Sequence, residues 1–82
     1  MLERIHQEIE VGAIFKGHQT RPVWFIWNKR KVPIQEVTYT WSDREGKARI
    51  QYFAVSDGAN IYELALDCHE LTWHLLRVYS DG

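Results

Sequence analysis

Hydrophobic and polar residues alternate along most of this chain. Between Gln7 and Phe15 the apolar residues recur at every second position, and two glutamates and a glycine stand between them. A period of two places alternate side chains on opposite faces of an extended strand. The pattern therefore predicts a strand from Gln7 onward. Residues 2–8 also fit a short helical lead-in, because their apolar residues are spaced by three and four, and residues 1–6 are expected to fray.

The same alternation recurs in later segments, which are separated by short polar turns rich in Gly, Asn, Asp and Ser. The further predicted strands are 22–27, 31–41, 48–55, 61–66 and 72–79. No helical pattern is long enough to cross over between parallel strands. The sequence thus predicts an all-β fold, an antiparallel meander of about six strands, strongly coiled or closed into a small barrel.

The segment from Val23 to Trp27 is apolar on both of its faces. Val23, Phe25 and Trp27 share one face of the predicted strand, and two further apolar residues occupy the other. A strand with two apolar faces is expected to lie centrally in the sheet, or to have its second face covered by a partner or by a curled sheet.

Two places in this part of the chain predict local irregularity. Asn28 begins a short polar link between two apolar runs, and Asn tolerates a left-handed backbone, so a tight hairpin is expected there. The face occupied by apolar residues changes between Ile34 and Val37. Because a shift of one residue moves every side chain to the other face, we expect a bulge or bend near Gln35 and Glu36.

Length and composition fit one small domain covering residues 1–82, since the chain has 82 residues and a mass of 9.8 kDa. The run from Val23 to Trp27 is far shorter than the roughly 18 apolar residues that a membrane-spanning helix needs. The amino terminus does not resemble a secretory signal, so a cytoplasmic location and no membrane association are expected. Cys68 is the single cysteine, so no disulfide within the chain stabilises the fold. Self-association as a homodimer would bury additional surface.

The residues capable of catalysis or metal binding form no recognisable pattern. Cys68, His69 and His74 lack the spacing of a zinc site, so no metal and no cofactor are predicted. An enzyme using Cys68 with a histidine is the weakest of three functional hypotheses, and no catalytic residue is assigned. Asp57 and Asp67 lie in segments of turn composition and are interpreted as turn formers.

Charge is unevenly distributed along the chain. Residues 16–49 contain eight basic and three acidic residues, whereas residues 50–82 contain one basic and five acidic residues. The first functional hypothesis is therefore a non-catalytic binding module that acts through another protein or a second copy of itself. The second is a module binding single-stranded nucleic acid through basic side chains and exposed Trp rings. The candidate binding surface for this second hypothesis is Arg21, Trp24, Trp27, Lys29, Arg30 and Lys31.

Several segments resemble a small bacterial domain family of unknown function. They are Arg21-Pro22-Val23-Trp24-Phe25, Glu36-Val37 before Trp41, Phe53-x-Val55 with Asp57-Gly58, Tyr62-Glu63-Leu64 and Trp73-x-Leu75-x-Arg77-Val78-Tyr79. The resemblance covers residues 21–79. Some members are encoded near, or attached to, proteins related to translesion DNA polymerases, so the resemblance implies an accessory role in DNA repair. Relatives often have a glycine in the hairpin where this chain has Asn28 to Lys31.

Overall fold

A computed structural model describes residues 1–80 as a single antiparallel sheet of seven strands. The strands are β1 (Leu2–Lys16), β2 (Gln19–Trp27), β3 (Arg30–Pro33), β4 (Glu36–Glu45), β5 (Ala48–Ser56), β6 (Ile61–Asp67) and β7 (Thr72–Tyr79). Their order across the sheet is β3-β2-β1-β7-β6-β5-β4. The prediction of an all-β antiparallel fold is confirmed. Within residues 1–80 no helix is long and apolar enough to cross a membrane.

The sheet is coiled but not closed, and the chain between β3 and β4 explains its shape. These two strands follow one another directly, yet they form opposite edges of the sheet. The amide of Ile34 donates to the carbonyl of Val23 on β2 at 3.0 Å, and the amide of Gln35 donates to the carbonyl of Ser56 on β5 at 2.8 Å. The chain therefore changes its pairing partner within two residues, which draws the two edges toward each other.

This change of partner accounts for the difference between six predicted strands and seven observed ones. The predicted strand 31–41 is divided into β3 and β4 at the place where a bulge or bend was expected. The irregularity itself was predicted correctly from the change of face between Ile34 and Val37. Its consequence for the sheet was not predicted, because a pattern along one strand does not identify the strands beside it.

The amino-terminal residues do not fray from Leu2 onward, contrary to expectation. Leu2 pairs with Tyr79 and Arg4 pairs with Arg77, so β1 begins almost at the start of the chain. The register shifts between Arg4 and Gln7, and His6 within this bulge has a positive φ of 52°. The pairing with β7 supplies hydrogen-bond partners that the local pattern could not reveal, and no helical lead-in forms.

The core lies on the inner, concave face of the coiled sheet. Phe25, Phe53, Leu64 and Leu75 are the largest completely buried apolar side chains, and they come from four different strands. Burying each such side chain contributes about 1.5–3 kcal/mol. Because the core contains residues from β1 through β7, it holds the curled sheet together without a second layer.

The strand with two apolar faces, β2, is not central but lies next to the edge strand β3. Phe25 points into the core and Trp24 points outward, on opposite faces as the alternation predicted. The indole of Trp24 lies over the backbone of Gly12 on β1, so closely that a Cβ at Gly12 would overlap it. The ammonium of Lys31 lies 4.7 Å from the centre of the Trp24 ring. Side chains and backbone of neighbouring strands thus cover the second face.

The tight hairpin between β2 and β3 is confirmed. Trp27 pairs with Arg30, which leaves Asn28 and Lys29 as a two-residue loop. Both loop residues have positive φ, 54° and 62°, as a type I′ turn requires.

Candidate functional site

The six residues of the predicted binding surface lie in four different places. Trp24 and Lys31 pack together on the outer face, whereas Trp27 packs against the core. The Trp27 ring meets the Tyr62 ring edge-on, with 6.4 Å between their centres. Lys29 and Arg30 lie at or beside the hairpin turn, and Arg21 lies further along β2. The two tryptophans therefore do not form one stacking platform, in agreement with the opposite faces that the alternation gave them.

Arg21 instead lines a cleft of about 460 Å³ that opens between β2 and β4. We call this the seam cleft. It is reached through the gap that remains where the sheet fails to close. Its floor consists of core residues, among them Phe53 and Leu66, which are almost completely buried, and Val37, which is half-buried. Thr40 and Gln51 add polar groups at its sides.

The charged residues around the seam cleft are all basic. Lys16, Arg21 and Arg49 line it together with His18, and no carboxylate belongs to its lining. The one ion pair within residues 1–80 joins Arg77 to Glu63 elsewhere on the sheet, so these three cations have no acidic partner within 4.0 Å. Arg49 makes one contact to a neighbouring side chain, a 3.4 Å hydrogen bond donated to Gln51. The cleft therefore has an uncompensated positive charge that suits an anionic ligand.

Two strand edges border the seam cleft, and neither is paired across it within the described chain. β4 forms one border of the sheet along its whole length, and β3 covers β2 only from Trp24 to Trp27. β2 and β4 stay more than 8 Å apart, measured between Cα atoms, over nearly all of their length. Paired strands lie about 4.8 Å apart, so one additional strand between two others needs about 9.6 Å. The seam is therefore wider than the spacing of two paired strands.

Sequence reasoning found Arg21 but missed the other basic residues of the cleft. Lys16, His18 and Arg49 come from β1, the first turn and β5. The excess of basic residues in 16–49 was the available signal. It could not be resolved into a site, because only the strand order shows which of these residues lie together.

Asp57 and Asp67 act as turn formers, as interpreted from the sequence. Asp57 Oδ1 accepts hydrogen bonds from the amides of Ala59 and Asn60 at 2.9 and 2.8 Å, and Asp57 Oδ2 accepts one from the Tyr62 hydroxyl at 2.8 Å. Burial acts to raise the pKa of Asp57, but these hydrogen bonds outweigh it and lower the pKa. Both carboxylate oxygens are thus used in shaping the turn.

Asp67 has the same role at the other end of β6. Its Oδ1 accepts from the amides of His69 and Glu70 at 2.9 and 3.0 Å. The hydrogen bond from the Glu70 amide, followed by that from His69, lowers the pKa of the Asp67 carboxyl. In the turn that follows, Cys68 is exposed at the border of the seam cleft, and its amide donates to the Arg49 carbonyl at 2.9 Å.

Comparison of the chain with protein-family models, curated proteins and solved structures finds no match. Within residues 1–80 no group of three or more His, Cys, Asp or Glu side chains is arranged to hold a metal ion. The seam cleft, with its charge and its free strand edges, is therefore the feature from which a function is inferred.

Proposed function

We propose that the protein is a non-catalytic binding module that holds an extended, acidic segment of a partner protein in the seam cleft. The observation that carries this proposal is the coincidence of a wholly basic lining with two unpaired strand edges. Addition of a strand to an exposed sheet edge is a common mode of peptide recognition, in which backbone hydrogen bonds give affinity and side-chain pockets give specificity.

The chemistry of the cleft defines the segment that fits it. An added strand presents alternate side chains to the two faces of the sheet. Side chains directed inward would meet the apolar floor at Val37 and Phe53, and acidic side chains near the rim would meet Lys16, Arg21 and Arg49. We therefore expect a partner segment in which apolar and acidic residues alternate.

Single-stranded nucleic acid is the competing occupant, because its phosphates would also be attracted to these cations. Such binding usually adds stacking of bases on exposed aromatic rings. The aromatic residue of the cleft, Phe53, is only 2% exposed, and the Trp24 ring is already covered by Gly12 and Lys31. The absence of a free ring in the cleft lining favours the acidic peptide.

Self-association is the second competitor, and the free edge of β4 provides a surface for it. Its ends carry the charged residues Glu36 and Arg44, and a bulge at Thr38 interrupts its pairing with β5. Charges and bulges are features by which edge strands avoid pairing with copies of themselves. A partner of complementary charge is therefore favoured over a second copy.

The test is fluorescence anisotropy with a labelled ten-residue peptide of alternating Glu and Val and, as a control, one of alternating Lys and Val. The acidic peptide should bind, and its affinity should fall as salt is raised. The charge-reversed double variant Arg21→Glu/Arg49→Glu should weaken binding roughly tenfold or more. The matched control Arg44→Glu/Lys47→Glu removes two exposed cations outside the cleft and should bind as the parent protein does.

Three results would contradict the proposal. They are equal binding of the two peptides, equal loss of affinity in the two double variants, and tighter binding of a labelled oligothymidine than of the acidic peptide. Sedimentation velocity of the protein alone tests the remaining alternative, self-association. A stable dimer that dissociates when Thr40→Pro removes a backbone donor from β4 would assign the edge to self-association.

A further inference from the structure

We propose that the outer face of the sheet carries a second binding site, for a planar ring that bears an anionic group, between Tyr52 and His74. A groove of about 380 Å³ opens there, on the side of the sheet opposite the core. We call it the outer groove. It lies on β1, β4, β5, β6 and β7 and shares no lining residue with the seam cleft.

The register of three neighbouring strands shapes the outer groove. Tyr52 on β5 pairs with Ala65 on β6, and Ala65 pairs with His74 on β7. Ala65 is 7% exposed and forms a low floor between two rings. With strands about 4.8 Å apart, the two strands that carry the walls stand about 9.6 Å apart at the backbone, and half of this separation is about 4.8 Å. This distance falls within the range of stacked aromatic rings, about 4.5–7 Å.

The Tyr52 wall is held in place before any ligand binds. Its ring is stacked on Trp41 with 5.1 Å between centres and 9° between planes, and Trp41 is stacked on Tyr39 at 5.6 Å. These rings form a row across β4 and β5, so one face of Tyr52 is supported and the other is directed to the groove. A preorganised aromatic wall lowers the entropic cost of binding.

The opposite wall depends on a strained backbone. His6 has a positive φ within the β1 bulge, and its ring centre lies 6.0 Å from that of His74. A left-handed conformation costs a residue other than glycine about 1–2 kcal/mol. Bulges often redirect a side chain beside a binding site. The bulge directs the His6 imidazole to the groove, next to His74. We infer that the strained backbone of His6 is retained because it gives the imidazole this position.

The anionic group of the ligand is assigned to the end of the groove that contains Arg4 and Arg77. These two arginines are directly opposite each other on β1 and β7, an arrangement that is unfavourable for like charges. Arg77 lies 3.6 Å from Glu63, whereas no carboxylate of residues 1–80 lies within 4.0 Å of Arg4. Arg77 is opposite Glu63 on β6, which is two residues from Ala65, so this end of the groove lies about 6.6 Å along the strands from the His74 row. An anion at this distance from the ring would relieve the repulsion.

The other end of the groove contains acceptors. Glu45 and Asp67 line it, and one oxygen of Asp67 is used by the turn that follows β6. A ring with an N–H group directed toward Glu45 therefore completes the match. A heteroaromatic ring with an N–H donor at one edge and a phosphate or carboxylate several bonds away has this chemistry. Nucleoside monophosphates and indole carboxylates are its two common sources.

The experiment is a ¹H–¹⁵N NMR titration of the whole chain with four separate probes: adenosine 5′-monophosphate, adenosine, inorganic phosphate and indole-3-propionate. We expect saturable shifts centred on Tyr52, Ala65 and His74 with at least one of the two ring-bearing anions. Which anion binds more tightly identifies the source. Adenosine and phosphate should each bind at least tenfold more weakly than the nucleotide, if the nucleotide is the ligand. Shifts that are equally large with adenosine, or absent with all four probes, would overturn the proposal.

Two substitutions locate the binding. Arg4→Gln, on an exposed side chain, should weaken the binding of the ring-bearing anion roughly tenfold, whereas Arg44→Gln, the matched control, should have no effect. Ala65→Leu fills the floor and should abolish binding, and its NMR spectrum shows directly whether the sheet remains folded. Unchanged affinity in Arg4→Gln, or in a folded Ala65→Leu protein, would remove the site from the outer groove. The Arg21→Glu/Arg49→Glu variant should bind the probe normally, so the two proposals can fail independently.

Discussion

Strands β2 and β6 contrast in a way that their sequences do not suggest. β2 is apolar on both faces, yet only Pro22 and Phe25 are buried in it. β6 carries the acidic residue Glu63 in its middle, yet every residue from Tyr62 to Leu66 is buried. At the middle of each strand the inner-face residue, Phe25 or Leu64, is completely buried, so the difference there arises on the outer face.

Neighbouring side chains explain this difference. On β6, Glu63 and Ala65 are covered by longer residues of the adjacent strands, including Arg77 at 3.6 Å from Glu63 and Tyr52 opposite Ala65. On β2 the outward Trp24 is itself the large residue, and it covers Gly12 of β1. Burial on the outer face therefore depends on the pairing of small with large residues across strands, and less on the polarity of the strand itself.

The strands also differ in how they begin and end. β2 is bounded by two-residue hairpin turns whose backbone adopts positive φ at Gly17, Asn28 and Lys29. β6 is bounded by turns in which Asp57 and Asp67 accept backbone hydrogen bonds. Left-handed residues also occur in the turns around β6, at Gly58 and Leu71, so the aspartate carboxylates, whose protonation changes with pH, are what distinguish the limits of β6 from those of β2. Substitutions on the two strands and at their turns test this contrast.

The inner faces should be equally sensitive to truncation. Phe25→Ala and Leu64→Ala each remove a completely buried side chain and should lower the free energy of unfolding by about 3–4 kcal/mol. Urea denaturation followed by Trp fluorescence measures both. If either variant is too unstable to fold, Phe25→Leu and Leu64→Val provide smaller steps. A loss below about 1 kcal/mol for one alanine variant alone would show that the two inner faces are not equivalent.

Gly12 on β1 should tolerate no side chain, because the outward Trp24 of β2 lies over it. A Cβ at this position would lie 2.1 Å from the nearest atom of the Trp24 indole, so Gly12→Ala should lower the free energy of unfolding by about 1–3 kcal/mol. The double variant Gly12→Ala/Trp24→Ala removes the overlap. We expect it to be more stable than the sum of the single changes predicts. Strict additivity would mean that the indole does not pack on Gly12.

The limits of β6 should be sensitive to acid. Because the pKa values of Asp57 and Asp67 are lowered from 3.8 by folding, the unfolded chain takes up these protons first as the pH falls. Their stabilising contribution is complete above about pH 4 and is lost as the pH falls through the lower folded values. Asp57→Asn should cost about 1 kcal/mol at pH 7 after allowance for solvent screening, and should flatten the decline in acid. Thermal melts from pH 2 to 7 measure this.

Glu36→Gln is the control for the acid experiment. Glu36 is exposed at the start of β4, and no turn depends on its side chain. This variant should keep the parent's decline in stability between pH 4 and 2. If Glu36→Gln and Asp57→Asn flatten the decline equally, the aspartate turns are not its source.

The hairpin after β2 should gain stability from a glycine. Lys29 has a φ of 62°, so Lys29→Gly relieves the strain of a left-handed backbone. Glycine also increases the conformational entropy of the unfolded chain, but this destabilising effect is smaller than the strain that is relieved. We expect a net gain of about 0.5 kcal/mol, or about 2–4 °C in melting temperature. Lys47→Gly is the matched control, since Lys47 follows Gly46 in a similar turn but is not among the positive-φ residues. It should not raise the melting temperature.

The sequence was sufficient for features that depend on neighbours along the chain. Alternation predicted the strands and the opposite faces of Phe25 and Trp24, and Asn28 predicted the tight hairpin. The change of face between Ile34 and Val37 predicted the bend. Each of these follows from a period of two or from a turn residue, which are local properties.

Features that depend on strand order were not predictable in the same way. The pairing of Leu2 with Tyr79, the crossing of the chain from β2 to β5, and the gathering of Lys16, Arg21 and Arg49 around one cleft all join distant parts of the sequence. The strong apolar character of β2 suggested a central position, but outer-face packing of Trp24 on Gly12 made an off-centre position stable.

The pairing of β1 with β7 has a consequence for biosynthesis. Leu2 is synthesised before Tyr79, and its hydrogen bonds to β7 cannot form until Tyr79 has been made. Until then one side of β1 is an open edge, able to pair wrongly with other nascent chains. Closing a loop of this length makes folding slow relative to helical proteins of similar size, on a scale of milliseconds to seconds. The freshly synthesised chain is thus at greatest risk of aggregation just before β7 emerges from the ribosome.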